Sequence, residues 1–483
     1  MPVGVVITTS LRTGPTNPEG PDSSSWFVGG ITDRGPISGS IPAVNNITQY
    51  EQVWGPRTDV AAILYDQAMT FFAEGGGSLY VARAVGAAAT PATLTLKDTL
   101  DADTVKLNAA NPGTWGSTVF VTVATGSSAG TVTVTLTCGA VVEAYAEKAT
   151  VADLVASMSV SKLVVASNLG SSSAGAAALP AVLASTALVG GDDDHSTVVA
   201  ADVTAALSRF GIDYGPGAVS CPGYSSDLVG SAIGQHCQIY GRIGVLAGTL
   251  GADDATLIAA AASLGANGEY LGLFAPWVII PDGAATRTIS PEGYIAGVRA
   301  RAFSVDDAFW QVPAGLRALA RFVTGTYRTI ALAEVNQLAA GRVSAIMTKR
   351  GQVYLYEYSS LSTNVTQWEL LSSRDTVNAI TAQLSTVLEP YVWNVIDGKG
   401  QLESQVESAM IGVLQPISDQ GGLYAEFDSD GNQIHPGYTV EATSTQDQLG
   451  KNTIAATVQV KLSPFAALIL IQLVKASFTA PLV

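Results

Sequence analysis

The hydrophobic period changes along this chain, and each change marks a segment that needs its own architecture. From Ala87 to Ala146, apolar residues alternate with threonine or polar residues in ATLTLK, TVKLNA, TVFVTVAT, TVTVTLTC and VVEAYA, with turn residues between the runs. Period two puts alternate side chains on opposite faces, so this segment predicts a small antiparallel β domain. From Ser196 helix and strand signals alternate. The expected order is helix Thr197–Phe210, strand Gly217–Cys221, helix Ser226–Tyr240, strand Arg242–Ala247, helix Asp253–Leu264 and strand Glu269–Ile280. That order predicts an α/β unit around a mainly parallel sheet.

Before the β segment, Pro2–Thr9 (PVGVVITT) is β-rich and is followed by the Pro-, Gly- and Ser-rich stretch Arg12–Ser25, an extended tether. An apolar strand on such a tether must pair with something. It is either an edge strand of its own domain or a strand donated to a neighbour's sheet. Trp26–Thr32 reads as a buried strand. Thr58-Asp59 opens a helix that carries Val60, Leu64, Ala68, Phe71 and Phe72 to Glu74. Gly75-Gly76-Gly77 ends it, and Ser78–Val85 is a strand. A phosphate loop needs strand, glycines and then helix, so this order argues against nucleotide binding. Residues 147–168 predict a short helix and a return strand, SSSAGAAALP a linker, and Gly190-Gly191-Asp192-Asp193-Asp194 an exit.

The stretch Ser290–Gly315 starts a helix with Ser290 as cap and Pro291 at the first position, where a missing N–H costs nothing. Tyr294, Ile295, Val298 and Phe303 supply its apolar face. An Asp306-Asp307 turn, Phe309-Trp310 and the Val312-Pro313-Ala314-Gly315 corner predict a packed joint. Ile330–Leu338 carries the chain across, and RVSAIMTK and QVYLYEYS form a hairpin about Lys349-Arg350-Gly351. Amphipathic helices follow at Arg374–Leu388 and Gln401–Leu414. Leu423–Phe427 and Tyr438–Ala442 flank a turn. Thr453–Leu462 alternates, placing Ile454, Ala456, Val458, Val460 and Leu462 on one face; Ser463-Pro464 breaks it and Phe465–Val474 resumes.

At 483 residues the chain should form about three domains. With 47% hydrophobic and 13% charged residues it can bury large cores. A net charge of −16 argues against nucleic acid, because phosphate needs cations. Cys138, Cys221 and Cys237 lack a paired spacing and predict buried free thiols in a reducing compartment. The start lacks the pattern of a secretory signal, and Phe465–Val474 is too short to span a bilayer, so a soluble chain made in the cytoplasm is expected.

Catalysis needs a base oriented onto a nucleophile, but His195, His236 and His435 are the only histidines, and His236 falls mid-helix between Gln235 and Cys237. Asp192-Asp193-Asp194-His195 reads as a solvated turn. Asp428, Asp430 and Asn432 match the first calcium-loop positions, but Gln433 and Thr439 stand where glycine and glutamate belong, which favours a hairpin turn. No cofactor, metal or catalytic residue is expected. Arg287, Arg299, Arg301, Arg317, Arg321 and Arg328 concentrate positive charge, either to pair with the chain's own carboxylates or to face a partner.

Pro291, Gly293, Ala296, Gly297, Ala300, Arg301, Trp310, Pro313, Ala314 and Gly315 form a pattern that resembles the tail sheath proteins of myophages, tailocins and related contractile injection systems. Phe71-Phe72 with Gly75–Gly77 and Tyr80–Arg83, the NPGTWGS turn and YLGLFAPWVII are similar to the same family. Ser117 stands where that family has asparagine, and Tyr356–Ser360 replaces its W-G-x-R-T strand. The resemblance implies an α/β multidomain chain: a central subtilisin-like α/β domain with a parallel sheet, an inserted antiparallel β domain, and an α+β C-terminal domain with extended terminal strands. The implied division is an N-terminal arm (1–25), a first part of the core (26–86), the insertion (87–190), the core (191–340), the C-terminal domain (341–462) and a C-terminal arm (463–483).

The function implied is a non-enzymatic virion subunit, assembled in the host cytoplasm into stacked hexameric rings. Such rings contract around an inner tail tube to drive it through a cell envelope, alongside baseplate and tail terminator proteins, without nucleic acid or stable membrane insertion. Strand contacts between copies fall on Val3, Val5, Val6, Ile7, Ile454, Val458, Val460, Leu468 and Leu470, and a tube-facing helix on Arg374, Asn378 and Gln383. The alternative is a hydrolase with a degenerate subtilisin-like core.

Overall fold

The computed structural model describes residues 22–304 and 308–466. They fall into two compact units, one ending at Ala379 and one beginning at Ile380.

The first unit is built on a seven-stranded sheet. Its spatial order is Gln352–Leu355, Val343–Lys349, Leu271–Ala275, Ile243–Ala247, Ala218–Ser220, Trp26–Gly30 and Leu79–Arg83. All neighbours run parallel except the first pair, which is antiparallel. Parallel strands covered on both faces need continuous apolar runs, and WFVGG, IGVLA and LGLFA are buried at every position. Trp26 keeps its indole N–H satisfied there by donating to Ser220 Oγ at 2.9 Å. Helix Ser226–Tyr240 and strand Ile243–Ala247 stand where the sequence puts them.

Two expectations change here. The strand expected over 269–280 ends at Ala275, because Pro276 has no N–H to continue a ladder. Val278–Asp282 pairs instead with Ala285–Ile289 and Gly325–Thr326 in a separate antiparallel sheet. The boundary expected at 340 falls before two strands of the central sheet, Val343–Lys349 and Gln352–Leu355, so the compact unit continues to Ala379. Their connection is the expected hairpin turn. Arg350 and Gly351 both have positive φ, 53° and 74°, which matches the right-handed twist of the strands they join.

The insertion holds the expected antiparallel strands. Thr93–Lys97, Asp103–Ala109 and Val164–Asn168 form one sheet; Val141–Lys148, Val132–Cys138, Phe120–Thr125 and Leu183–Ala187 form another. Alternate residues, among them Val105, Leu107, Val121, Val134 and Leu136, face a common core. The SSSAGAAALP stretch is part of the fold rather than a linker. Thr99 and Thr104 donate to the carbonyls of Ala177 and Ala178, and Leu183–Ala187 pairs with Phe120–Thr125.

The helix expected after Ser290 runs Glu292–Phe303, and its start differs from expectation. Pro291 is the cap position, and Ser290 makes no capping bond. Its carbonyl and hydroxyl oxygens instead accept from Gln67 Nε2 at 2.7 and 3.0 Å. The helix also has no exposed face: every residue but Arg301 is buried. Gly293 and Gly297 make this possible. A Cβ at Gly293 would stand 2.6 Å from the Gln67 carbonyl oxygen, and one at Gly297 2.8 Å from that of Phe71. The glycines four residues apart thus let helix Ala62–Glu74 lie directly against this one. The expected Asp306-Asp307 turn lies outside the described residues. Phe309 and Trp310 beyond it are buried, with ring centroids 5.1 Å apart.

Enclosure extends to Glu292, whose Oε2 has no hydrogen-bond partner. Burial pushes its carboxyl up to about 7. A folded-state value above the unfolded one means the acid stabilises the fold fully at low pH, and that contribution is lost as pH rises toward 7. Glu292→Gln should therefore match wild type near pH 4.5 and exceed it by about 3 kcal/mol at pH 8. Urea unfolding at the two pH values checks this. Glu357, also raised to about 7 by burial and by Glu369, stays constant between the two proteins.

The second unit contains the last turns of helix Leu371–Leu388, helix Gln401–Asp419 and the antiparallel pair Tyr438–Thr443 and Ala455–Val460. Leu402, Val406, Met410 and Ala442 form its core, with Leu384, Leu388, Ile454 and Val458 half-buried against it.

Candidate functional site: an assembly surface

Tyr438–Thr443 and Ala455–Val460 form a two-stranded sheet in register Tyr438↔Val460 through Thr443↔Ala455. Lys461 N donates to Gly437 O at 2.8 Å, so 437 and 461 are a hydrogen-bonded pair. Antiparallel ladders alternate bonded and non-bonded pairs. The residues bonded across the pair are therefore 439, 441, 443, 455, 457 and 459. The backbone N–H groups of Tyr438, Val440 and Ala442, and of Ala456, Val458 and Val460, point to the outer edges. On the first edge Ala442 N donates to Glu407 Oε1 at 2.8 Å, as this phase requires. On the second, the N–H groups of Ala456, Val458 and Val460 meet no acceptor among the described residues. Among the described residues this is an open sheet edge, the kind of template a strand from another chain can extend.

Of the residues expected to make strand contacts, Ile454, Val458 and Val460 lie on or beside this pair. Their stretch is already paired along one side within its own chain, and Ile454 and Val458 rest on the unit's core. Val3, Val5, Val6, Ile7, Leu468 and Leu470 lie outside the described residues.

The expected tube-facing helix places its residues differently from one another. Arg374 is turned inward, paired with Glu269 and lying over the Trp368 and Tyr270 rings. Asn378 is buried and donates to Arg242 O at 3.2 Å. Both side chains are engaged within the chain, and Gln383 is half-exposed in the last two turns of the helix.

A feature of the same unit that sequence reasoning missed is Trp393. It is 97% exposed, holds a left-handed φ of 68°, and stands beside exposed Val392 and Val395. Large apolar side chains grouped in solvent mark contact surfaces. The only signal in the sequence was VWNV in a loop, which periodicity does not rank.

The arginines mostly serve their own chain. Arg287 pairs with Asp66 and Asp282, Arg299 with Asp375, Arg301 with Glu74, and Arg328 with Asp254 and Glu334. Arg317 and Arg321 are the exposed exceptions. Each histidine has a local structural partner. His195 Nδ1 lies 3.0 Å from Asp193, and His435 Nδ1 accepts from Gly437 N at 3.0 Å. His236 faces Arg242 at 2.8 Å, and burial followed by that cation lowers it to about 4. Asp428, first of the calcium-like positions, uses its carboxylate on the N–H groups of Asp430 and Asn432, as a hairpin turn does. Among the described residues, no group of three or more His, Cys, Asp or Glu could hold a metal ion, and no helix is long and apolar enough to cross a membrane. Cys138, Cys221 and Cys237 are free and buried.

No family model and no curated protein matches the chain. Solved structures do. The sheath tail protein Lin1278 from Listeria innocua aligns with a TM-score of 0.62 at 13% identity, over 92% of this chain and 96% of its own. The sheath tail protein from Desulfitobacterium hafniense gives 0.56 at 14%, over 95% and 100%. The sheath of an extracellular contractile injection system, the PVC complex in its contracted state, gives 0.57 at 13%, over 99% of both chains.

The chain has the fold of a sheath protein. The likeness takes in nearly the whole chain, so the mixed α/β unit, the β insertion and the C-terminal α+β unit all belong to this sheath fold.

Proposed function

We propose that this chain is the subunit of a contractile tail sheath, which polymerises helically around an inner tube and shortens to drive that tube through a target envelope. The observation that carries this is the open Ala456–Val460 edge in a chain whose full-length structural neighbours are sheaths of contractile systems. Strands supplied by neighbouring copies, from Val3–Ile7 and from Leu468–Leu470, extend the sheet at its edges. Main-chain hydrogen bonds then link the copies while each unit moves as a rigid body. Many modest contacts per copy give a cohesive lattice by multivalency. The work of contraction is stored during assembly, so the chain needs no catalytic site. Trp393 and its neighbouring valines add an apolar anchor between subunits. Tube contacts fall near Gln383, half-exposed in the last two turns of its helix.

Negative-stain electron microscopy of the purified protein tests this reading. Cylinders are expected at high protein concentration. A chain lacking residues 1–12 should keep its thermal transition and form none. Monodisperse particles from the full chain at every concentration, with and without the tube protein, would remove the proposal.

A further inference from the structure

The first unit carries a surface cavity of about 430 Å³ lined by Arg301, Gln311, Leu316, Arg317 and Arg321, among others. Its three arginines are not equivalent. Arg301 is fully committed: Nη1 donates to the carbonyl and carboxylate of Glu74, and Nη2 to the carbonyls of Arg317 and Leu319. The Arg317 and Arg321 side chains have no carboxylate partner among the described residues, although the chain has 40 acidic residues to 24 basic ones. Gln311 Oε1 is buried in the lining without a hydrogen-bond donor. Leu316, between these groups, is 84% exposed. Among the described residues, the cavity thus offers two cations without a carboxylate partner and an apolar contact. An acidic peptide turn suits both, since its carboxylates meet the guanidiniums.

The same chain presents such a turn. Residues 380–466 carry ten acidic side chains against three lysines, and Lys451 and Lys461 are already paired with Asp447 and Glu426. At the tip of the small hairpin formed by Glu426–Phe427 and Gln433–His435, Asp428 and Asp430 are exposed, with Phe427 and Ile434 exposed beside them. We infer that the Arg317/Arg321 cavity receives the Asp428–Asp430 hairpin tip of a second copy of this chain. The acidic pair meets the two arginines, and Phe427 or Ile434 covers Leu316. This rests on the sheath reading and adds to it a side-chain contact separate from strand pairing.

A charge exchange tests it. R317E/R321E should raise the concentration needed for half-assembly by at least about tenfold, with thermal stability unchanged. D430K should do the same, and D430K combined with R321D should recover most of the loss. Asp430 suits the exchange because its carboxylate, unlike that of Asp428, makes no bond within the turn. Wild-type assembly by R317E/R321E overturns the inference and leaves the sheath reading intact. Loss in both single-site sets without recovery in the exchange overturns the choice of occupant. If R317E/R321E also lowers thermal stability, R317Q/R321Q decides. Destabilisation there assigns the arginines to their own chain and ends the inference. A wild-type protein that never assembles defeats the sheath reading itself.

Discussion

Asp375→Ala is expected to lower the unfolding free energy by about 3–5 kcal/mol, because it leaves a buried cation without its counter-charge. Arg299 Nε and Nη2 reach the two Asp375 oxygens at 2.7 Å each, and the side chains are 0% and 1% exposed. Nη2 also donates to Ser23 O at 2.7 Å, and the guanidinium lies 4.5 Å from the centre of the Phe303 ring. One ion pair therefore ties the Glu292–Phe303 helix both to the start of the described chain and to the helix that begins at Leu371. Removing the carboxylate keeps the full desolvation cost of the arginine and discards its compensation, and salt cannot screen a site closed to water. Asp375→Asn, which retains the shape and one acceptor, should cost less. Replacing both partners with apolar residues of similar volume should recover much of the loss, since no charge is then buried. Denaturant unfolding of the three variants measures this. A loss under about 1 kcal/mol for Asp375→Ala would mean that water reaches the pair.

Sequence alone located Arg299 but not its partner, and this shows where sequence reading stops. Elements whose signal is local were legible. Helix Ser226–Tyr240 has its expected bounds, and the hairpin turn at Arg350-Gly351 follows from its own residues. The period-two runs of the insertion became strands because alternation is a property of one strand. What failed depended on distant partners. Leu183–Ala187 has no alternation of its own and is a strand only because Phe120–Thr125 lies beside it. Ser290 looks like a helix cap until Gln67, more than 200 residues earlier, takes its oxygens. The four-residue spacing of Gly293 and Gly297 matched a family pattern without giving its reason, which is the backbone of helix Ala62–Glu74.

The candidate surface divides in the same way. Alternation over 453–462 predicted a strand with one apolar face, and Ile454 and Val458 do rest on the core. Which edge of that strand is open depends on the phase of its bonding to Tyr438–Thr443, and no residue pattern encodes that phase. Trp393 illustrates the converse. A tryptophan is ordinarily read as core, and only the tertiary fold shows it standing in solvent. The arginine cluster likewise reads as one patch in sequence, whereas the fold neutralises Arg287, Arg299, Arg301 and Arg328 and leaves Arg317 and Arg321 without a carboxylate partner among the described residues.

Ala456→Pro should abolish cylinder formation while leaving the subunit folded. The phase set by the Lys461–Gly437 bond turns the Ala456 N–H away from Tyr438–Thr443, so proline there removes no bond of the internal pair. Its ring instead occupies the outer edge and deletes a donor that an incoming strand would use. Ala456 is exposed, so the ring has room, and edge strands tolerate proline for this reason. One missing main-chain bond is worth only about 1 kcal/mol, but the ring also holds the backbones apart and shortens the pairing that can form. In a lattice the same defect recurs in every subunit, so a loss of about tenfold per contact compounds along the polymer. Thr457→Pro is the necessary contrast, because its N–H belongs to the internal ladder and its loss should lower thermal stability. Sedimentation and thermal melts of the two variants separate the effects. If Ala456→Pro assembles as well as wild type, the Ala456–Val460 edge is not where copies join, and strand exchange at this sheet falls with it.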